Sequence, residues 1–186
     1  VESATERLAK VLTQLRNKQV VESSKKPVNV NQLLEQVVEQ RNIDLPKVIF
    51  EMSVEIEIVI DQETFYSVLN HLVQNAQEAT DDSGWVKIKA EIIADNLHIA
   101  VLDNGIGMSK DTQNRIFQQF AQEDMSEPRS YGGMGLGLWI SKVMAELMGG
   151  GLSVNSKPGS GSTFTLTLIA EAVTAAEVTG GKHAAA

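Results

Sequence analysis

Two spacings of apolar residues alternate along this chain, one typical of helices and one of strands. Apolar side chains three and four residues apart predict helices over 1–20, from about 62 to 79, over 110–120 and over 138–148. A further helix is predicted to begin after Asn31, which can serve as its N-cap. Alternating or continuous apolar runs predict strands at 28–30, 48–50, 54–60, 85–93, 96–102, 152–155 and 162–169. The neighbouring runs at 85–93 and 96–102 predict an antiparallel hairpin.

This order of elements predicts an α+β fold, a two-layer α/β sandwich in which a mixed sheet carries helices on one face. It lacks the strict strand–helix alternation of a doubly wound fold. We expect three parts, namely a helix and linker at 1–26, a globular domain at 27–170 and a frayed tail or cloning remnant at 171–186. The helix at 1–20 either packs on the domain or pairs with a second copy, and the sequence leaves both open.

Composition narrows the classes of function. The chain has 186 residues, no cysteine and a formal charge of −8. These values exclude disulfides and thiolate metal sites, and they argue against a nucleic-acid surface. We see no signal peptide and no apolar run that could span a bilayer, so we expect a cytoplasmic protein, or the cytoplasmic portion of a membrane-bound sensor, with no direct membrane contact in this part. The start at Val1 favours a fragment of a longer protein.

The segment from Asp103 to Met108 follows a predicted buried strand. A carboxylate at the strand end is followed by Gly105 and Gly107, which allow a sharp turn and a close approach of backbone to a flat ligand. Asp103 would repel a phosphate but could accept a hydrogen bond from the exocyclic amine of a purine. A plain strand–turn–helix with a capping aspartate remains the alternative.

Two further stretches carry candidate chemistry. The glycines at 133, 135 and 137 precede the helix that starts at Leu138, and free N–H groups at a helix start bind phosphate, although a flexible hinge is the alternative. The spacing matches neither a Rossmann fingerprint nor a Walker A loop. Asn75 lies within a predicted helix, with His71 and Glu78 about one turn away. Its amide oxygen could bind Mg²⁺, or it could belong to a solvent-facing polar stripe.

The order of these stretches along the chain is itself informative. Their succession resembles the N, G1, F, G2 and G3 boxes of sensor histidine kinases, which belong to the ATPase superfamily shared with gyrase, Hsp90 and MutL and have the Bergerat fold. The boxes here are Asn75-Ala76, Asp103-x-Gly105-x-Gly107, Phe117-x-x-Phe120, Gly133-x-Gly135-x-Gly137 and Gly161-Ser162-Thr163-Phe164. The resemblance covers about residues 27–170.

The resemblance implies ATP and Mg²⁺ as ligands. It implies that Asp103 binds the adenine amino group, that Asn75 holds Mg²⁺ and that residues 121–131 form a lid over the nucleotide. It also implies further nucleotide contacts from Gly105, Gly107, Gln122, Arg129, Gly133, Gly135, Gly137, Leu138 and Thr163. An arginine in the lid suits an acidic chain, since it can grip phosphate in a bidentate manner. Phe117 and Phe120 would be the hinge of the lid or ordinary core residues.

Three positions depart from the family pattern. His71 stands where many members carry Asn, Glu78 where many carry Lys, and Ala79 where an aromatic residue is common. His71 could position the attacking group or a water, or it could be a histidine on the helix surface. Glu78 would weaken ATP binding unless its side chain points away from the phosphates.

The phosphoacceptor histidine of the family is missing, because none of the three histidines has the required sequence context. The resemblance therefore implies a catalytic domain that transfers the γ-phosphoryl group of ATP to a histidine on a separate dimerisation domain. The full protein would be a homodimer that passes the phosphoryl group to a response regulator. Two alternatives stay open, an anti-sigma-type protein-serine kinase and a non-catalytic nucleotide-binding or scaffolding module.

Overall fold

The computed structural model describes residues 25–52, 55–118 and 137–169. The predictions for 1–20, 121–131 and 171–186 lie outside these ranges. The elements in chain order are β1 (Lys26–Asn29), α1 (Val30–Arg41), β2 (Val48–Met52), β3 (Glu57–Ile60), α2 (Gln62–Glu78), β4 (Val86–Ile93), β5 (Asn96–Asp103), α3 (Lys110–Arg115), α4 (Gly137–Leu147), β6 (Gly151–Ser156) and β7 (Ser162–Ile169). Of the described helices, none is both long and apolar enough to cross a membrane.

Five strands form one mixed sheet in the order β2-β4-β5-β7-β6. β2 and β4 run parallel, whereas the other neighbouring pairs are antiparallel. β4 and β5 form the predicted hairpin, with Val86 opposite Asp103. β1 and β3 pair antiparallel in a separate two-stranded sheet. The prediction of a mixed sheet is therefore confirmed.

One face of the large sheet carries the core. Every second residue of β5 is buried, and the buried side chains of β4 and β7 share that face. The apolar sides of α1, α2 and α4 cover it with a set of side chains that includes Leu34, Phe65, Leu72 and Ile140. The residues that alternate with them remain partly exposed, so the fold is the expected two-layer α+β sandwich.

The N-caps explain where two helices begin. Asp61 caps α2 as its side chain accepts a hydrogen bond from the N–H of Thr64 at 2.7 Å. The predicted cap of α1 was wrong, because Asn29 fills that role and accepts from the N–H of Gln32 at 3.0 Å. Asn31 instead accepts a hydrogen bond from the N–H of Ile56 at 3.2 Å, which ties α1 to the chain before β3.

Several boundaries differ from the predicted ones, among them the start of β1 and the end of α3. β1 begins at Lys26, which the prediction assigned to the linker. α3 ends at Arg115 instead of continuing to 120, and Ile116 is its C-cap. The short helix still places residues 110–115 beside the end of β6, where they join the candidate site.

Candidate functional site

Asp103 is the last residue of β5 and lies on the sheet face that the helices cover. Its side chain is buried, with an exposed fraction of 4%. Oδ1 accepts hydrogen bonds from the N–H groups of Gly105, at 2.9 Å, and Ser162, at 3.1 Å. Oδ2 is also buried and has no hydrogen-bond partner within the described ranges. The structure thus holds one carboxylate oxygen in place and leaves the other one unpaired.

Burial raises the pKa of Asp103 above its ordinary value, because desolvation of the carboxylate outweighs the hydrogen bonds from Gly105 and Ser162. A buried acceptor without a donor carries a free-energy cost that a ligand donor can remove. The exocyclic amino group of adenine is such a donor, so the predicted role of Asp103 fits its geometry. Oδ2 has almost no solvent contact.

The two glycines after Asp103 allow backbone to pack on backbone. A Cβ on Gly105 would lie 2.0 Å from the carbonyl oxygen of Ala79, at the end of α2. The next residue, Ile106, donates its N–H to that same oxygen at 3.1 Å. Gly107 has a φ of +63°, and a Cβ there would lie 2.0 Å from the carbonyl oxygen of Lys157. The loop is thereby held between α2 and the β6–β7 turn, and its contact with a base remains a prediction.

The β6–β7 turn closes the site from the other side. Gly161 has a φ of +86°, and a Cβ there would lie 1.9 Å from the carbonyl oxygen of Asp103. The structure brings Ser162, and not Thr163, into hydrogen-bond contact with Asp103, and the nucleotide contact of Thr163 remains a prediction. Thr163 pairs with Leu102 in the sheet, and both residues face away from the helices. Successive residues of a strand face opposite sides of the sheet, so a difference of one position decides which residue contacts Asp103.

Gln113 is a site residue that the sequence analysis missed. It is buried in α3, with an exposed fraction of 8%. Its amide group donates to the carbonyl oxygens of Met108 and Ser156, at 3.0 and 2.8 Å. Ser156 in turn lies 3.0 Å, Oγ to Oγ, from Ser162. A glutamine on a short polar helix gives no local signal of burial, because only the packing of α3 against β6 buries it.

His71 and Asn75 lie one turn apart on α2. His71 is buried, with an exposed fraction of 8%, and its Nδ1 lies 3.5 Å from Oγ of Ser141 on α4. The alternative of a surface histidine is therefore wrong. Asn75 is partly exposed. The catalytic role of both residues remains a prediction.

The donors around Asn75 suit Mg²⁺ only in part. An amide oxygen is a ligand of the hard kind that Mg²⁺ takes. In the described ranges, however, no group of three or more His, Asp or Glu side chains could hold a metal ion. A Mg²⁺ ion at Asn75 would therefore take most of its ligands from phosphate and water, in keeping with its usual coordination.

Glu78 lies on the exposed surface of α2, near its C-terminal end. Its carboxylate is exposed and accepts a hydrogen bond from Nε2 of Gln74 at 2.7 Å, one turn back along α2. Ala79 follows as the C-cap of α2 and contributes its backbone to the loop contact described above. Because the Glu78 carboxylate is exposed, solvent and salt weaken its repulsion of an anion bound near Asn75.

The predicted phosphate and hinge residues are described only in part. Gly137 is the first residue of α4, and the partly buried Leu138 packs against the core. The ring of Phe117 packs edge-on against Phe164 at 6.4 Å, and Nζ of Lys142 lies 5.5 Å from the Phe117 ring. Phe117 thus packs against the core and is partly buried, and its role as a hinge remains a prediction. The other predicted contacts, Phe120, Gln122, Arg129, Gly133 and Gly135, lie outside the described residues.

A shallow depression of about 250 Å³ lies at this end of the sheet. Its lining includes Trp85, Leu102, Lys157 and Thr163. Leu102 and Thr163 belong to the face that the helices leave open. The buried residues Asp103, Ser156 and Ser162 belong to its lining as well, so the depression adjoins the candidate site.

Comparisons with known proteins identify what this chain is similar to. The profile of the histidine kinase-, DNA gyrase B-, and HSP90-like ATPases matches residues 60–172. The chain is 43% identical over 124 residues to Histidine protein kinase 1 of Candida albicans, which covers 63% of this chain and 5% of that protein. It is 40% identical over 113 residues to the sensor-like histidine kinase SenX3 of Mycobacterium tuberculosis, which covers 61% of this chain and 28% of that protein.

Solved structures give the same picture. Full-length ShkA, in complex with AMPPNP, superposes with a TM-score of 0.70 at 26% identity, over 91% of this chain and 38% of that one. The nucleotide-free catalytic domain of the histidine kinase ThkA superposes with a TM-score of 0.65 at 25% identity, over 78% of this chain and 95% of that one. The chain therefore spans nearly the length of an isolated catalytic domain, but only 5% and 28% of the two curated relatives.

Proposed function

This chain belongs to the histidine kinase-, DNA gyrase B-, and HSP90-like ATPases, and from that membership we propose that it is the ATP-binding catalytic domain of a two-component sensor histidine kinase. Family membership implies ATP as the ligand. The transfer of its γ-phosphoryl group to a histidine is the step that we propose for the full protein. The kinases named among the relatives support this reading.

One observation carries the proposal, the unpaired carboxylate oxygen of Asp103. Oδ1 is occupied by two backbone donors, so an incoming base meets Oδ2. In the described part of the chain Oδ2 lacks a donor, and the adenine amino group supplies one. This hydrogen bond to a charged acceptor would fix the orientation of the base and point the phosphates away from the carboxylate.

The phosphates would lie between α2 and the start of α4. Asn75 of α2 would hold Mg²⁺, and Gly137 and Leu138 would offer N–H groups at a helix start. We assign further phosphate contacts to Gln122, Arg129, Gly133 and Gly135 on the strength of the motif order. Bound Mg²⁺ would neutralise phosphate charge, while the protein would contribute mainly positioning.

The acceptor would be a histidine on a separate dimerisation domain. The three histidines here are at 71, 98 and 183, and His71 is buried between α2 and α4. We propose that the full protein is a homodimer, that it passes the phosphoryl group to a response regulator, and that this domain works in the cytoplasm.

Calorimetric titration with a non-hydrolysable ATP analogue, with and without Mg²⁺, tests the binding site. We expect Mg²⁺-dependent binding that weakens by about 10- to 100-fold in Asp103→Asn, as for the loss of a hydrogen bond to a charged group. Asp95→Asn is the matched control, since Asp95 lies in the exposed β4–β5 turn at a φ of 62° that Asn also tolerates. Equal affinities in wild type and Asp103→Asn would overturn the assignment.

The phosphotransfer itself needs a second component. We expect the chain, mixed with a dimerisation domain from a related kinase, to label that domain from ATP with a phosphoryl group that is lost in acid and retained in base. This lability is the property of phosphohistidine. A label with the opposite lability would identify a protein-serine kinase, and a folded chain that binds ATP but never labels a partner would support the scaffolding alternative.

A further inference from the structure

Gln113 is connected to the backbone of two separate segments by one amide group. Nε2 donates to the carbonyl oxygens of Ser156, Met108 and Ser109, at 2.8, 3.0 and 3.3 Å. Oε1 accepts from the N–H of Ser156 at 3.3 Å. Gln113 thus pairs with both backbone groups of Ser156, as a neighbouring strand would, and holds the loop after Asp103 against the end of β6.

Ser156 continues this connection towards the base-binding carboxylate. Its Oγ accepts from the N–H of Met108 at 2.8 Å and lies 2.9 Å from the carbonyl oxygen of Gly161. It also lies 3.0 Å from Oγ of Ser162, whose N–H donates to Oδ1 of Asp103 at 3.1 Å. These groups are buried, so water does not compete for the hydrogen bonds.

The consequence concerns which oxygen of Asp103 a ligand can use. While Ser162 and Gly105 hold Oδ1, the carboxylate cannot rotate, and a ligand meets an acceptor at Oδ2. An acceptor attracts the amino group at C6 of adenine and repels the carbonyl at C6 of guanine. If the β6–β7 turn relaxes, the carboxylate can move away from the base and admit a water that donates to a carbonyl, so a carbonyl is then no longer rejected as strongly.

We propose that Gln113 is a positioning residue for base specificity, which acts through Ser156 and Ser162 to fix the orientation of Asp103 and so favours adenine over guanine nucleotides. The inference rests on the proposed function, because it presumes that the chain binds ATP. Gln113 itself need not touch the nucleotide. Its effect is on the ratio of two affinities and not on the presence of the site.

The experiment measures the dissociation constants of non-hydrolysable ATP and GTP analogues for the wild-type chain, Gln113→Met and Ser156→Ala. Met has a similar length and removes the hydrogen bonds, while Ala at 156 removes the hydroxyl that contacts Ser162. We expect the preference for the ATP analogue to fall by roughly fivefold or more in both variants. Gln36→Met, on the exposed side of α1, is the matched control and should keep the wild-type ratio.

A double variant shows whether Gln113 acts through Asp103. On an Asp103→Asn background, Gln113→Met should change the ratio no further, because the group that it orients is already altered. Thermal unfolding establishes whether each variant is folded. If Gln113→Met does not fold, the affinity ratio of Ser156→Ala tests the inference instead.

The outcomes separate the two claims. Wild-type chain that binds neither analogue overturns the proposed function itself. Wild-type chain that prefers the ATP analogue, together with variants that lose affinity for both analogues by the same factor, leaves the proposed function intact and overturns the inference about Gln113. A ratio that falls in Gln36→Met as well would also overturn it.

Discussion

The backbone N–H of Ser162 lies 3.1 Å from Oδ1 of Asp103, and this hydrogen bond joins the start of β7 to the end of β5. The two strands are neighbours in the sheet, yet their ladder ends one residue earlier, at the pair of Leu102 and Thr163. A carboxylate therefore takes the place of a backbone acceptor at the sheet's end. The base-binding group of the proposed site is part of the hydrogen bonding of the sheet.

Asp103→Asn should stabilise the folded chain at neutral pH even as it weakens nucleotide binding. Burial raises the pKa of Asp103 above 3.8, so the ionised form destabilises the folded state at neutral pH. This penalty disappears as the pH falls through the raised pKa towards 3.8. Asn cannot ionise and keeps an acceptor for Gly105 and Ser162. Thermal unfolding should show a higher Tm for the variant at pH 7.5 and a shrinking difference towards pH 4.

A difference in Tm that is independent of pH would show that ionisation of Asp103 is not its cause. Asp95→Asn provides the reference curve, since Asp95 lies in an exposed turn. It should follow the wild-type Tm across the same range.

Two glycines of the β6–β7 turn should respond differently to alanine. Gly159 and Gly161 have positive φ values of +72° and +86°, so Ala is strained at both. Around Gly159 no described atom would lie within 4 Å of a Cβ, whereas at Gly161 the Cβ would lie 1.9 Å from the carbonyl oxygen of Asp103. Gly159→Ala should lower the free energy of unfolding by about 1–2 kcal/mol, and Gly161→Ala by more than about 3 kcal/mol.

Urea denaturation measures both values, and the ATP analogue gives a second readout. Gly159→Ala should retain binding, while Gly161→Ala should lose it because the Asp103 backbone is displaced. Equal destabilisation by the two substitutions would contradict the close contact between Gly161 and Asp103.

Removing the charge of Glu78 should change nucleotide affinity little. Its carboxylate is exposed and held by Gln74, so solvent and salt screen it from the phosphates. We expect Glu78→Gln to alter the dissociation constant of the Mg²⁺-bound ATP analogue by less than about threefold at 150 mM salt. Glu146→Gln on the exposed side of α4 is the control. A tenfold gain in affinity would mean that Glu78 opposes binding.

His71 and His98 should differ in their contribution to stability. Nδ1 of His71 lies 3.5 Å from Oγ of Ser141 in a buried helix contact, while Nδ1 of His98 lies 3.3 Å from Oγ1 of Thr167 on the partly exposed sheet face. His71→Ala should cost about 2–3 kcal/mol in urea unfolding and His98→Ala less than about 1 kcal/mol. If His71→Ala instead keeps the wild-type free energy of unfolding and loses only phosphotransfer, a catalytic role of His71 would be established.

The parts of the site that depend on local sequence were predictable. Asp103 follows a clear apolar strand and precedes glycines at fixed spacing, and apolar and polar residues alternate along the first strand of the hairpin, from Val86 to Glu91. The long helix α2 combines a capping Asp61 with an apolar stripe, so its bounds were predicted within one residue. Each of these features is set by neighbours in the sequence.

The parts that depend on contacts between distant segments were not. Ser162 and Thr163 are similar residues, and only the register of β7 against β5 decides which of them faces Asp103. The parallel pairing of β2 with β4 joins strands that are far apart in the chain. Gln113 is polar and lies on a short helix, so its burial follows from packing that no local pattern indicates.

The close backbone contacts of Gly105 and Gly161 have a thermodynamic consequence. Because α2, the Asp103 loop and the β6–β7 turn touch through main-chain atoms, they have little freedom to move separately. The entropy lost in ordering this half of the site is spent when the chain folds, and binding does not incur it again. Nucleotides that share adenine and differ in their phosphates should therefore differ in binding entropy, and the difference should come from the proposed phosphate side of the site, at Asn75 and the start of α4.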